Sequence, residues 1–463
     1  MSVSDSSVRK LERAPMESAG EPRRSLGLAA TTSLVIGNMV GSGVFLLPAS
    51  LAAYGVYSLW GWVASTAGAL LLARVFSRLS RRVPLAGGPY AYPREVFGDF
   101  AGFLLTWMYW ISIAAAVAGI AVAFASYLAA FIPALGTRPA GAGVALAATW
   151  LLTGVNILGV RTAGRLQIVT VVLKISPLLV FALWGIFYFN PHMITSGVTV
   201  QSGPAALDTS AALTMWAFLG LECATIPTDH VKEPEKTIPR ATYYGTLVAA
   251  AFYILCTTAV MGIIPAGSLV HSNAPFADAA KLVWGGWAGN LIALAASISC
   301  FGALNGWILI QGEMPRVLAR EKIFPELFAH ESRYRTPDYS LFITSALVTI
   351  VMLMNYSGSM VSVFTFIILI STSAYLVMYL FCSLAAFKLA LRGDMGMQGR
   401  KLLWLLAVAM LGALYSAWTL WGAGKEAFWW GMGLFALGLP LYFLMKEWQR
   451  RQSASAAVSP SQT

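Results

Sequence analysis

Glycines and small polar residues interrupt the first apolar segment of the chain, which runs through LVIGNMVGSGVF at positions 34–45. A bilayer span takes about 20 residues, and the surrounding apolar run is long enough for one. In hydrocarbon a helix unwinds only where protein or a wet cavity satisfies the freed backbone groups. A half-helix starting at Gly41-Ser42-Gly43 points free amide hydrogens and the positive end of its dipole into that cavity, which suits a carboxylate. The alternative is close helix packing through Gly37-x-x-x-Gly41.

A second interruption lies in the sixth apolar segment, which reads LTMWAFLGLECA at positions 213–224. Gly220 stands in the middle of this segment, and the carboxylate of Glu222 follows two residues later. Interruptions in the first and sixth spans lie five spans apart, which indicates two inverted repeats with a binding site where the broken helices face each other.

Two ionisable side chains are predicted deep in the membrane. Such a charge costs about 2.5–3.5 kcal/mol on insertion scales, so it needs a cavity or a partner. Glu222 could bind a substrate cation or carry a proton, or it could be a structural carboxyl bonded to a helix carbonyl. Lys174 in the fifth span could stand where a sodium ion otherwise bridges helices, shed a proton, or act as a fixed charge that ties this span to the first break.

Three aromatic residues stand out by their depth within the spans. Tyr109 lies in the third span, Trp216 lies four residues before Gly220, and Trp307 follows Gly306 in the eighth span. They could close over a bound ligand, although packing is the alternative for each of them. Trp216 is the strongest of the three because the break beside it must border a cavity.

Composition fixes the class of protein. Of the 463 residues, 58% are hydrophobic and only 11% are charged, which indicates a polytopic helical membrane protein. The apolar runs are continuous, which excludes a transmembrane barrel, because barrel strands alternate apolar and polar residues. The net charge is +11, but the basic residues form no clustered stripe and the sequence has no nucleic-acid-binding motif. No nucleic-acid partner is therefore expected. We expect neither metal nor other cofactor, because the cysteines fall within spans without ligand-like spacing. They are Cys223, Cys256, Cys300 and Cys382.

Apolar run lengths predict twelve spans. They are about 27–53, 57–80, 99–130, 140–159, 163–188, 208–229, 241–265, 285–312, 339–356, 359–386, 402–422 and 427–446. The organisation predicted from them is a disordered N-terminus 1–25, a first repeat 26–190, a second repeat 205–390, two further helices within 400–446, and a disordered tail 447–463.

Basic residues recur at alternate span ends. On one side they lie before the first span and within 74–94, 161–165, 232–240, 316–335, 388–401 and 446–451. The opposite side holds only Arg138, Lys281 and Lys425. This asymmetry predicts a multi-pass protein of the cell membrane with both termini in the cytoplasm. The cytoplasmic stretch GGPYAY at positions 87–92 is predicted to be non-helical, either an ordered surface loop or a gate.

Over about residues 25–446 the sequence resembles the amino acid–polyamine–organocation family, in particular its bacterial arginine/agmatine and putrescine/ornithine antiporters. The residues that carry the resemblance are GSGVFLLP at 41–48, GGPYAY at 87–92, WAFLGLE at 216–222, NAPF at 273–276, and Gly306-Trp307. The resemblance implies five-plus-five inverted repeats with two extra C-terminal helices and alternating access to a small amino acid or amine. The sequence leaves the oligomeric state open, with a homodimer as one alternative.

The resemblance also implies roles for single residues. Gly41, Ser42 and Gly43 match the site of the substrate α-carboxylate. Carbonyl groups near Ile36, Trp216 and Leu219 match the site of the α-ammonium, and Asn38 matches a position near the substrate. Tyr109, Trp216, Glu222 and Trp307 match the gating positions.

Two departures leave the substrate open. Val117 stands where the arginine/agmatine antiporter has an asparagine that helps to hold the guanidinium, and Lys174 stands where that antiporter has a small residue. A lysine there resembles proton-coupled and neutral amino acid transporters. The hypotheses are therefore an exchanger of amino acids or their decarboxylated amines that prefers cations, a proton-coupled importer of neutral amino acids, and, from another class, a non-transporting receptor or an intramembrane enzyme. No catalytic motif supports an enzyme.

Overall fold

The fold is a bundle of helices, seen in a computed structural model of the protein. The structure describes residues 27–41, 43–82, 88–158, 176–197, 201, 203–225, 231–320, 322–334, 336–354 and 360–458. The predicted N-terminal segment 1–25 lies outside these residues, as do Ser42 and Lys174.

Sixteen helices follow one another along the described chain. The first eight are α1 (Leu28–Met39), α2 (Gly43–Leu51), α3 (Tyr57–Arg82), α4 (Ala91–Phe97), α5 (Asp99–Ala129), α6 (Arg138–Ile157), α7 (Ser176–Tyr188) and α8 (Pro204–Met215). The others are α9 (Pro234–Ile263), α10 (Ala266–Leu269), α11 (Pro275–Trp284), α12 (Gly286–Arg320), α13 (Asp338–Met354), α14 (Met360–Leu391), α15 (Gly399–Gly422) and α16 (Gly424–Val458).

Nine segments of the described chain are long and apolar enough to cross a membrane, and the first of them, Leu28–Tyr54, contains the break between α1 and α2. Two shorter apolar helices, α7 and α13, correspond to the predicted fifth and ninth spans. The sixth span is the interrupted segment that begins with α8. The all-helical class with discontinuous first and sixth spans is therefore confirmed, whereas the boundaries of the two repeats remain a prediction.

The long helix α5 lies at the centre of the bundle and packs against α12 and α14. Most of its residues are buried, and its middle, AAAVAGIAVA, carries small side chains that let other helices approach closely. On the periphery, α15 and α16 expose large apolar side chains such as Trp421 and Trp429, as expected of surfaces that face lipid.

The structure differs from the expectations at two places. The stretch at 87–92 is not an irregular loop throughout, because a 3₁₀ turn over Gly88–Tyr90 leads into α4 and both Tyr90 and Tyr92 are buried. Proline is tolerated near a helix start, where the missing amide hydrogen has no intrahelical partner to lose. The tail is helical through Val458, since a helix that already exists extends at little cost through good helix formers such as Lys446, Glu447 and Arg451.

Candidate substrate site

The first break separates α1 from α2. Val40 leaves the helical conformation with φ −75° and ψ 78°, and its amide hydrogen still bonds to the Ile36 carbonyl over 2.8 Å. The Gly41 amide donates to the Met39 carbonyl, also over 2.8 Å. The carbonyls of Ile36 and Met39 thus each accept one hydrogen bond from the chain, and Met39 borders the open space. The role expected of the carbonyl groups near Ile36 remains a prediction.

A glycine is required at Gly41 for packing. A Cβ added there would lie 2.8 Å from the Cβ of Ala303 on α12, closer than two carbon atoms can approach. The first break consequently rests directly on α12, and α2 begins at Gly43 with its first-turn amides facing the region of the break.

The second break follows α8. A 3₁₀ turn over Trp216–Phe218 leads to Leu219 in an extended conformation, with ψ 135°, and then to Gly220 with φ +102°. Side-chain-bearing residues rarely adopt that φ, so glycine is needed here. The Leu219 amide donates to the Trp216 carbonyl over 3.2 Å. The Leu219 carbonyl accepts no hydrogen bond from the part of the chain that the structure describes.

Both breaks border one cavity, whose volume in this structure is about 20 Å³, enough for about one water molecule. A small molecule therefore fits there only when the walls of the cavity move apart. Its lining residues are Asn38, Met39, Gly41, Ala116, Ile120, Trp216, Leu219 and Trp307. Ala116 and Ile120 on α5 were missed by sequence reasoning, because nothing in a long apolar helix marks which small residues face a hollow.

Asn38 offers an unused donor to this cavity. The residue is 4% exposed, and its side-chain Nδ2 has no hydrogen-bond partner among the described residues. A buried polar group without a partner costs about 1–3 kcal/mol, which a ligand acceptor or a water molecule relieves. The backbone carbonyl of Asn38 instead accepts a hydrogen bond of 3.3 Å from Nε1 of Trp307. Trp307 is thus held across the first break by the backbone of Asn38.

Glu222 does not line the cavity. Its carboxylate is fully buried and accepts hydrogen bonds from the hydroxyls of Tyr109, at 2.8 Å, and Tyr379, at 2.5 Å. A third bond of 3.2 Å comes from the amide of Gly220. The carboxylate thus ties α5 and α14 to the turn of the second break, and the side chain predicted to contact substrate is engaged with protein instead.

Tyr379 was also missed by sequence reasoning. Tyr375 and Tyr379 are one helical turn apart in the middle of α14, and this pair of phenols was the available signal. The Tyr375 ring packs against Tyr109, with centroids 4.9 Å apart, and against Trp307, with centroids 6.4 Å apart. Of the predicted gating residues, Trp216 and Trp307 line the cavity, whereas Tyr109 lies with Glu222 and is linked to Trp307 through Tyr375.

The described residues contain no cluster of three histidine, cysteine, aspartate or glutamate side chains placed to hold a metal ion. All four cysteines are free and buried. The cavity therefore offers backbone groups, one amide and two indoles, which suits the binding of a small polar molecule.

The profile of the amino acid permease family matches residues 26–430 of this chain. The chain belongs to the amino acid permease family. The permease is 35% identical over 350 residues to the cadaverine/lysine antiporter of Escherichia coli (strain K12), an alignment that covers 73% of this chain and 78% of that protein.

Two further relatives align over longer stretches of the permease. It is 31% identical over 473 residues to the putative arginine/ornithine antiporter of Bacillus subtilis (strain 168), covering 94% of this chain and all of that protein. It is 30% identical over 423 residues to the putrescine transporter PotE of Escherichia coli (strain K12), covering 91% and 96%. All three relatives are named for cationic amino acids or diamines.

Proposed function

We propose that this permease exchanges a cationic amino acid for a decarboxylated amine across the cell membrane by alternating access. The observation that carries the proposal is that both helix breaks border the same cavity, because unwound backbone at membrane depth is tolerated only where it is buried in protein or lines a water-filled cavity. The names of the relatives support this choice of substrates.

The carboxylate of an amino acid fits the first break. Amide hydrogens at the start of α2 and the positive end of its dipole attract an anion, and the free Nδ2 of Asn38 adds a donor from the same cavity. Ser42, which lies outside the described residues, keeps its proposed place beside Gly41 and Gly43 in this site.

Ammonium groups fit the second break and the two indoles. The free carbonyl of Leu219 is an acceptor for an ammonium hydrogen, and the faces of Trp216 and Trp307 attract a cation by about 0.5–2 kcal/mol each. An amine without a carboxylate would use these groups alone, so one cavity can take both members of the exchanged pair.

Glu222 acts in this proposal by holding the second break in shape. Its bond to the Gly220 amide fixes the turn that presents the Leu219 carbonyl, and its bonds to Tyr109 and Tyr379 keep α5 and α14 closed beside it. This end of the bundle can open only if these hydrogen bonds break, so Glu222 is a positioning and gating residue. Protonation of its carboxylate would weaken the hydrogen bonds.

The alternative function is proton-coupled transport of neutral amino acids, with Lys174 as the coupling group. It is favoured by one observation: among the described residues that line the cavity, none is acidic, and Ala116 and Ile120 make an apolar wall. In either case the distribution of lysine and arginine supports both termini in the cytoplasm.

Proteoliposomes distinguish these functions. Uptake of labelled lysine should require internal cadaverine, putrescine or lysine, and should be competed by ornithine and arginine more strongly than by leucine. Uptake into empty vesicles driven by a pH gradient would instead support the proton-coupled alternative. Absence of flux under both conditions, with binding of labelled lysine retained, would contradict transport and favour a receptor.

A further inference from the structure

One face of α3 changes abruptly from apolar to basic along its length. At helical spacing this face carries Trp60, Val63, Ala67, Arg74, Arg78 and Arg81. At 100° per residue these six positions fall within about 60° of the helix circumference. Trp60 and Val63 are more than half exposed, and Arg74 and Arg81 are exposed as well. The exposed face that starts with a tryptophan therefore ends with three arginines.

This face looks towards lipid. The helices α9 and α15 both pack against α3 and also expose large apolar side chains, among them Tyr244 and Leu247 on α9 and Trp404 on α15. From Trp60 to Arg81 the helix rises about 32 Å, close to the hydrocarbon thickness of about 30 Å. With Trp60 at one boundary of the bilayer, Arg81 lies at the other, and Arg74 lies about 9 Å inside it.

The three arginines have no counter-charge among the residues that the structure describes. Arg78 is repelled by Arg74 and by Arg81, and none of the three has a salt bridge or a hydrogen bond to any residue that the structure describes. Two other basic residues of the same end, Arg82 and Arg94, are partnered. Arg82 donates to the Asp394 carbonyl over 2.7 Å, and Arg94 pairs with Asp99 over 2.7 Å.

We propose that Arg74, Arg78 and Arg81 bind the headgroup phosphate of an anionic phospholipid in the leaflet at the Arg82 end of α3, which is cytoplasmic in the proposed orientation. Guanidinium groups match phosphate oxygens in pairs of hydrogen bonds. A phospholipid places its phosphate at the membrane boundary beside Arg78 and Arg81, and its acyl chains lie along the apolar part of the same face. A dissolved anion reaches Arg74 poorly, because that residue lies within the lipid.

Native mass spectrometry of the purified, delipidated full-length protein tests this site without reference to transport. Phosphatidylglycerol or cardiolipin is titrated against phosphatidylcholine of equal chain length. The wild type should retain the anionic lipids preferentially, and each arginine removed should weaken binding about fivefold. Arg74→Gln/Arg78→Gln/Arg81→Gln should bind anionic and zwitterionic lipid alike.

A matched variant, Arg392→Gln/Arg400→Gln/Lys401→Gln, removes three exposed positive charges, one directly after α14 and two in the first turn of α15. It should keep the preference for anionic lipid. If the control variant loses as much lipid binding as the α3 variant, the effect comes from general surface charge and the proposed site is refuted. Unchanged binding in the α3 triple variant would overturn it too, as would displacement of the lipid by millimolar inorganic phosphate. Should the triple variant fail to fold, Arg74→Gln alone carries the test, with an expected loss of about fivefold.

Discussion

Removal of single hydroxyl groups around Glu222 should shift the balance between the closed and open states of the permease. Tyr109 and Tyr379 each donate one hydrogen bond to the buried carboxylate, and neither ring lines the substrate cavity. A hydrogen bond to a charged group contributes about 1.5–3 kcal/mol. Tyr379→Phe, which keeps the ring, should therefore reduce the population of the closed state relative to the open state by about 10- to 100-fold.

Two measurements check this shift. Cys382 is fully buried beside the Pro89 carbonyl at the same end of α14, so its reaction with a maleimide reports opening there. In a variant whose other three cysteines are serine, the labelling rate should rise by the same 10- to 100-fold. Exchange of labelled lysine in proteoliposomes should slow, because each turnover passes through the closed state, whereas the affinity for lysine should change little.

The chain supplies its own control for Tyr379→Phe. Tyr375 is equally buried and its ring packs between those of Tyr109 and Tyr379, but its hydroxyl has no hydrogen-bond partner among the described residues. Tyr375→Phe should therefore leave labelling and exchange within about twofold of the wild type. The reasoning is refuted if Tyr375→Phe has as large an effect as Tyr379→Phe, or if Tyr379→Phe weakens lysine binding and leaves labelling unchanged.

Three further predictions concern the breaks and the coupling group. Asn38→Ala removes the amide donor and should weaken binding of lysine about tenfold while sparing cadaverine, which has no carboxylate. Equal losses for both ligands in a binding assay would show that the Asn38 amide does not bind the carboxylate. Gly220→Ala forces a side chain to φ +102° and should lower stability by about 1–3 kcal/mol in thermal unfolding, whereas Gly143→Ala in α6, with open space around it, should be neutral or stabilising. Lys174→Ala should abolish the pH dependence of uptake if that amine titrates, and an unchanged pH profile would assign it a structural role.

The positions of both breaks could be predicted from sequence because the constraint that reveals them is local. Glycine and polar residues within an apolar run leave backbone groups without partners, and in lipid those groups must face a cavity. The spans and their number follow from the same simple requirement of length and polarity.

The orientation of side chains around the breaks could not be predicted. In a continuous helix each residue turns by about 100°, but an extended residue such as Leu219 and a left-handed one such as Gly220 interrupt that count. Glu222 therefore points to the phenols of Tyr109 and Tyr379 and not into the cavity. In α1 the residues that border the cavity are Asn38 and Met39.

The indole of Trp307 touches both halves of the binding region. Its nitrogen donates to the Asn38 carbonyl, and a methyl group added to Gly220 would meet the edge of the same ring at 3.2 Å. One flat side chain from α12 thus lies between the end of α1 and the turn of the second break. Neither the end of α1 nor the turn at Gly220 can move far without displacing the indole of Trp307. The two interrupted spans should therefore move together, and an intermediate in which only one of them has moved should be rare.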